Sequence, residues 1–223
     1  MKVQGGFDMD IQRVDTQRAY ELIWDMITTL TLKPGAPINE QQLAGELGMA
    51  LTPVQEALKL LAHEHLVEIT PRHGMYVADV NTPDLDQLSE LRLTLEALAA
   101  GMAAQRATPD DLVVLEAIRQ EQVAADPGDS RRLFEIDHQF HKAIAQAAHN
   151  KYLAQTLDHF FGLSLRLWYL VLPHLEFLPG AVEKHLDLAD AIGAGDAAAA
   201  ERIMRSHVES FYTEVRRVLA IGS

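Results

Sequence analysis

The hydrophobic period of this chain changes sharply within its first eighty residues, and that change constrains the fold more than any other feature. From Thr16 to about Thr31, apolar residues at Tyr20, Ile23, Trp24, Ile27 and Leu30 recur every three or four positions. That spacing puts them on one face of a helix, which Lys33-Pro34-Gly35 ends. Asn39 is placed to cap a second, short helix, with Gln42 in capping-box position, Leu43 and Leu47 facing inward and Gly48 closing it. Thr52-Pro53-Val54-Gln55 offers a cap, a proline at the first helical position and a second capping-box glutamine. It predicts a third helix to about Glu64 that buries Val54, Leu58 and Leu61. The period then falls to that of strands. Leu66–Thr70 and Met75–Val80 flank the turn Pro71-Arg72-His73-Gly74. Three helices followed by a hairpin predict a winged helix-turn-helix over residues 1–80.

From Asn81 onward the period is helical to the end, and residues 81–223 are expected to form a second, all-helical domain. Thr82-Pro83-Asp84 and Thr108-Pro109-Asp110 each set a cap, a proline and an acid at a helix start, predicting helices to about Arg106 and Ala125. Ser130 is expected to cap a helix to about His149, with Asn150 as its C-terminal cap, and an apolar helix follows from Lys151 to about Leu172, ending at Pro173. A helix after Pro179-Gly180 runs to about Ile192, and a last one covers Asp196 to Leu219 beyond Gly193-Ala194-Gly195. Six helices in this space predict an antiparallel bundle, so the fold class is mainly α. No apolar run reaches the ~18 residues of a membrane span, and the start has no basic and apolar leader, so a cytoplasmic protein with no membrane partner is expected.

Charge limits the partners. The chain carries a net −13, and neither half is basic: residues 1–80 hold six Lys and Arg against eleven Asp and Glu. Non-specific polyanion binding rests on cations that neutralise phosphates, so this composition excludes it. A winged helix can still read a specific site through the N-terminal residues of its second helix-turn-helix helix, with the wing tip on the backbone or minor groove. The candidates are Gln41 on the preceding helix, Leu51, Thr52 and Gln55 on the recognition helix, and Arg72, His73 and Gly74 in the wing. Gln55 can pair with adenine, and Leu51 can touch a thymine methyl. The same module can instead bind protein.

With no cysteine in the chain, a metal would have to be held by His, Asp and Glu. Asp137 and His141 are four apart and so leave the same face of one helix, while His185 and His207 lie on later helices of the same bundle. His138 is turned about 100° from that face and His149 lies beyond it, so neither is expected to join. Three imidazoles and a carboxylate suit a divalent ion, zinc first, with nickel, manganese or iron as further candidates. Arg92 and Glu96 form another four-apart pair, either a surface ion pair or an inward clamp for a carboxylate, and Arg166 poses the same alternative. Enzyme motifs are missing: His63-Glu64-His65 lacks the further histidine of a zinc protease, and no phosphate loop or nucleophile elbow occurs. The chain is therefore not expected to be an enzyme.

Two blocks resemble one family, the GntR-type transcription regulators in their FadR-like branch, which carries an FCD effector domain. Leu32 to Val77 is similar to that family's winged helix through Pro34-Gly35, Asn39-Glu40 before Leu43-Ala44, Thr52-Pro53-Val54 with Glu56-Ala57-Leu58, and Arg72, Gly74 and Val77. The second block is Leu91-Arg92 with Glu96, Asp137 with Phe140-His141, Asn150, His185, Ala191-Ile192 with Gly195-Asp196, and His207. The resemblance implies Asp137, His141, His185 and His207 as ligands of a divalent metal. It also implies a small carboxylate effector beside the metal, for which Arg92, Asn150 and Arg166 are the candidate contacts, and a homodimer that reads a palindromic double-stranded DNA operator, probing two half-sites. Members usually carry Ser-Arg before Thr-Pro-Val and Arg after it, where this chain has Ala50-Leu51 and Gln55. The departure predicts weak, salt-sensitive binding or an A/T-leaning operator. The alternative is a metal or metabolite sensor that has lost sequence-specific DNA binding.

Overall fold

A computed structural model describes residues 4–80, 82–171 and 178–221. The chain divides into two compact units, Met1–Asn81 and Thr82–Ser223. The first contains helices α1 (Gln4–Thr28), α2 (Glu40–Leu47) and α3 (Leu51–His63) and strands β1 (Pro37–Ile38), β2 (Val67–Thr70) and β3 (Gly74–Val77). The strands form one antiparallel sheet in the order β1-β3-β2. Its core draws on the predicted apolar set: Ile23 and Ile27 of α1 and Val54, Leu58 and Leu61 of α3 are fully buried, closed off by Leu66 just before β2 and Val77 of β3, whereas Tyr20, Trp24, Leu30 and Leu47 are half-buried.

Local signals decide where these helices start and stop. Asn39 Oδ1 accepts the backbone N–H groups of Gln41 and Gln42, and Gly48 closes α2 in the left-handed region at φ 64°, which costs a residue without Cβ little. Gln42 does not complete a capping box, because its amide donates to Glu46 one turn on. The expected start of α3 is corrected too. The helix begins at Leu51 with Ala50 as an N-cap that makes no side-chain hydrogen bond, which leaves Thr52 exposed rather than capping. Gln55, expected to reach back to the cap, donates instead to Glu40 of α2 at 2.6 Å. Strand β1, absent from the sequence reading, is two residues long and pairs Pro37 with Tyr76 and Ile38 with Met75, extended by hydrogen bonds between Gly35-Ala36 and Val77.

The second unit contains α4 (Thr82–Arg106), α5 (Pro109–Ala124), α6 (Ser130–Ala147), α7 (Lys151–Val171), α8 (Leu178–Gly193) and α9 (Ala197–Ile221). Helix α4 is the spine. It packs along α9 and also meets α6, α7 and α8, and its alanines Ala97, Ala99, Ala100 and Ala103 are buried, so neighbouring backbones approach closely. Thr108 and Asp111 form a reciprocal capping box at the start of α5. Asp129, one residue before the expected Ser130, caps α6. Asn150 is not a C-terminal cap: α6 ends at Ala148, and Asn150 Oδ1 accepts the N–H of Leu153 at the start of α7. The expected stop at Pro173 lies outside the described residues. Among the described residues no helix is long and apolar enough to cross a membrane.

Candidate functional site

In the first unit, helix α2, its turn and helix α3 present Gln41 and Thr52 exposed and Leu51 and Gln55 partly exposed. The wing tip presents Arg72, His73 and Gly74, all exposed. Arg72 sits at φ 68° and Gly74 at φ 103°; the second value suits a residue without Cβ. Tyr76 O–H donates to the carbonyl of His73 and stiffens the tip. The surface that would face DNA therefore offers amide, hydroxyl and one guanidinium group. Glu40 sits among them and holds Gln55.

In the second unit, α6 delivers Asp137 and His141 from adjacent turns, α8 delivers His185 and α9 delivers His207, and all four are buried. One ligand atom from each falls within 4.8 Å of every other. His141 Nε2 lies 3.0 Å from His207 Nε2, His185 Nε2 lies 3.3 Å from His207 Nε2, and Asp137 Oδ1 lies 3.2, 3.5 and 3.7 Å from the Nε2 atoms of His185, His207 and His141. Around an ion with bonds of about 2.0–2.1 Å, neighbouring ligand atoms stand about 3.0–3.4 Å apart. The donor set therefore fits a divalent ion in both chemistry and separation.

Two of the three outer nitrogens face partners, while His207 Nδ1 is buried without a hydrogen bond. His141 Nδ1 pairs with Glu96 and His185 Nδ1 with Gln122 Oε1 at 2.9 Å. Partners of this kind fix the tautomer that turns Nε2 inward and hold the ring plane. Glu96 is itself gripped by Arg92 Nε at 2.6 Å. Arg92 also reaches Tyr212 O–H, which shares a hydrogen bond with Ser164, and lies over the Phe161 and Tyr212 rings. The Arg92–Glu96 pair is thus not a surface ion pair: the two residues are 3% and 4% exposed. Arg92 does turn inward, but the carboxylate it clamps belongs to its own helix.

With protons in place of a metal, the cluster is strongly polarised. Burial opposes a charge on His141, yet Glu96 and Asp137 on either side overcome it and raise its pKa to about 10. Burial would raise Glu96, but Arg92 and His141 pull it down to about 2. Asp137 is likewise held well below the carboxylate range, against the burial cost, by His141 and by hydrogen bonds from the three rings. Burial and the neighbouring imidazoles push His185 down to about 4, so it stays neutral with a free lone pair. Two carboxylates thus face the Arg92 guanidinium and the His141 imidazole across the buried cluster.

Space lies on two sides of His141. Arg92, Asp137, His207 and Trp168 border a gap of only about 10 Å³. A cavity of about 180 Å³ opens between α6 and α7, bordered by Glu96, His138, His141, Lys142 and Phe161. His138, outside the ligand set as expected, stacks on Phe161 with centroids 3.8 Å apart. Arg166 is buried in α7 and Asn150 caps it, and neither borders these two spaces. Sequence reasoning missed Gln122, which carries no motif, and gave Glu96 no role toward His141.

Residues 15–77 match the bacterial regulatory proteins of the gntR family, and residues 87–210, more than half of the chain, match the FCD domain. The chain belongs to the GntR family, in its FCD-bearing branch. It is similar to the HTH-type transcriptional repressor RspR of Escherichia coli, 26% identical over 203 residues covering 91% of this chain and 89% of that one. It is also similar to a putative L-lactate dehydrogenase operon regulatory protein of E. coli, 32% identical over 204 residues covering 80% and 77%. The solved structure of E. coli McbR/YncC shares the fold, with a TM-score of 0.78 at 23% identity over 91% of this chain and 97% of that one. The gntR family is one of bacterial regulatory proteins, RspR and the E. coli operon protein are described as regulators and not enzymes, and this GntR protein is a DNA-binding transcription regulator.

Proposed function

We propose that this regulator is a cytoplasmic homodimeric repressor that binds a palindromic operator and is controlled through its helical domain, which holds a divalent ion, zinc first, and a small carboxylate effector. The observation that carries this reading is the convergence of Asp137, His141, His185 and His207, buried, with donor atoms at the spacing of one ion's ligands and with Glu96 and Gln122 orienting two of the rings. When bound, the ion would tie α6, α8 and α9 together through its four ligands. The chain's own residues do the rest. Arg92 holds Glu96, Glu96 holds His141, and Trp168 and Phe211 close the cluster against water. An effector that prefers one arrangement of the dimer shifts the population toward it, and its reach is limited to its differential affinity for the two arrangements.

At the DNA, Thr52 and Gln55 would face base edges, Gln41 the backbone, Leu51 a thymine methyl, and Arg72, His73 and Gly74 the backbone or minor groove. Repression as the sign of control is supported by the likeness to the transcriptional repressor RspR. The test is selection of bound sequences from a random duplex pool at low and moderate salt, with the metal-loaded protein. Enrichment of an A/T-leaning palindrome is the expected outcome. No enrichment at either salt would favour a sensor that no longer reads DNA, a reading supported by the acidic first unit and by Ala50, Leu51 and Gln55 in place of the family's usual Ser-Arg and Arg.

A further inference from the structure

The room for an effector lies away from the atoms that would face the ion. The cavity between α6 and α7 is bordered by His141 and Glu96 but by none of Asp137, His185 and His207. Its walls divide by chemistry. Phe161, Leu157, Ala145 and Ala154 supply an apolar lining. Lys142 and Asp158 also border it, with Nζ and Oδ1 3.6 Å apart and side chains 53% and 60% exposed, so they form its wet rim. Exposed Gln146 and Gln155 complete that rim, and of the inner polar groups Glu96 is paired with Arg92 and His141 and His138 stacks on Phe161.

We infer that this cavity binds a zwitterionic apolar α-amino acid, with its carboxylate on Lys142, its ammonium on Asp158 and its side chain laid against Phe161. The inference rests on the proposed effector role of the helical domain and names the effector class. An exposed ion pair contributes little to stability, so both partners can take up a ligand's charges at small cost. A ligand with one charge would satisfy one rim residue and compete with the other, whereas an amino acid carries both charges on a single α-carbon. Size selects the side chain: an apolar cavity of about 150 Å³ accepts benzene, so about 180 Å³ suits a side chain of the bulk of Leu, Met or Phe. Because the ligand would press on the Glu96–His141 pair, its binding and the metal's would be coupled reciprocally.

The test is titration calorimetry on the full-length, metal-loaded protein with L-leucine, L-methionine and L-phenylalanine. Hydrocinnamate, which lacks the ammonium, and phenethylamine, which lacks the carboxylate, serve as comparison ligands. The expected result is binding of at least one amino acid, at least tenfold weaker binding of both analogues, and at least a tenfold loss with Lys142→Gln at unchanged metal content. Ala154→Leu, which fills the cavity from a partly exposed helix position, should abolish binding and leave the metal in place. Equal binding of an analogue, or no binding of any amino acid, overturns the proposal. Binding of hydrocinnamate that survives Lys142→Gln but disappears with the metal in Asp137→Asn places the effector at the ion, which overturns this seat and leaves the proposed function standing.

Discussion

Replacing His185 with alanine separates the metal's contribution to stability from that of packing. The side chain is 1% exposed, with Nε2 beside Asp137 and His207 and Nδ1 on Gln122. Its removal leaves a hole whose cost, about 2–4 kcal/mol by analogy with other large-to-small core changes, is present with or without an ion. The ion's contribution is the part that changes. Free metal at 100 to 1,000 times its dissociation constant stabilises the folded state by about 2.7–4.1 kcal/mol. For a unit the size of Thr82–Ser223, each kcal/mol moves the melting temperature by about 4 °C, so wild type should gain roughly 10–16 °C. If losing one of four ligands weakens binding about a thousandfold, the same metal concentration stabilises the variant by less than about 0.5 kcal/mol, or roughly 2 °C. The assay is differential scanning fluorimetry of both proteins after chelation and after titration with zinc. The hole lowers both variant curves and cancels in the difference. An equal zinc-dependent rise in His185→Ala and wild type would refute the ligand assignment.

Three further outcomes follow from the site. Gln122→Leu, which removes the acceptor for His185 Nδ1, should weaken metal binding about 10–100-fold in a competition with a chromogenic chelator; unchanged affinity would deny Gln122 an orienting role. Glu96→Gln leaves the Arg92 guanidinium buried without its carboxylate, and thermal unfolding should show a loss of about 3–5 kcal/mol; a change under 1 kcal/mol would mean the pair is not closed as described. In the metal-free protein the His141 pKa is raised to about 10, above its unfolded value, so its contribution to stability is full below about pH 6.5 and is lost as pH rises through about 10. Metal needs the unprotonated ring, so between those limits its affinity should rise with pH, and calorimetry at pH 8 in buffers of different ionisation enthalpy should find about one proton released per ion. Release of none would contradict the charge state assigned to His141.

Long periodic segments were legible in the sequence because burial of a helix face leaves a repeat of three and four, and α4 to α9 lie close to where that repeat puts them. Ends governed by a single cap were less so. Thr52 and Gln55 have the residue types of a capping box, yet α3 begins two residues earlier and Gln55 finds a stronger acceptor in Glu40, fifteen residues away in sequence. Strand β1 is too short to have a period. At the site, Asp137 and His141 share a face by spacing alone. That His185 and His207 converge on them depends on how three helices pack, which the family resemblance implied and local pattern could not. The role of Glu96 was hidden for a related reason: four residues from Arg92 it reads as an ordinary helix pair, and only tertiary packing brings His141 to its other oxygen. Gln122 carries no local signal at all.

The metal content of the purified full-length protein tests the central claim most directly. Elemental analysis after incubation with zinc, nickel, manganese or iron and passage over a desalting column should find about one ion per chain for at least one of these metals, and the ion should be absent from a variant carrying both Asp137→Ala and His207→Ala. Less than about a tenth of an ion per chain with all four metals would contradict a metal centre at Asp137, His141, His185 and His207.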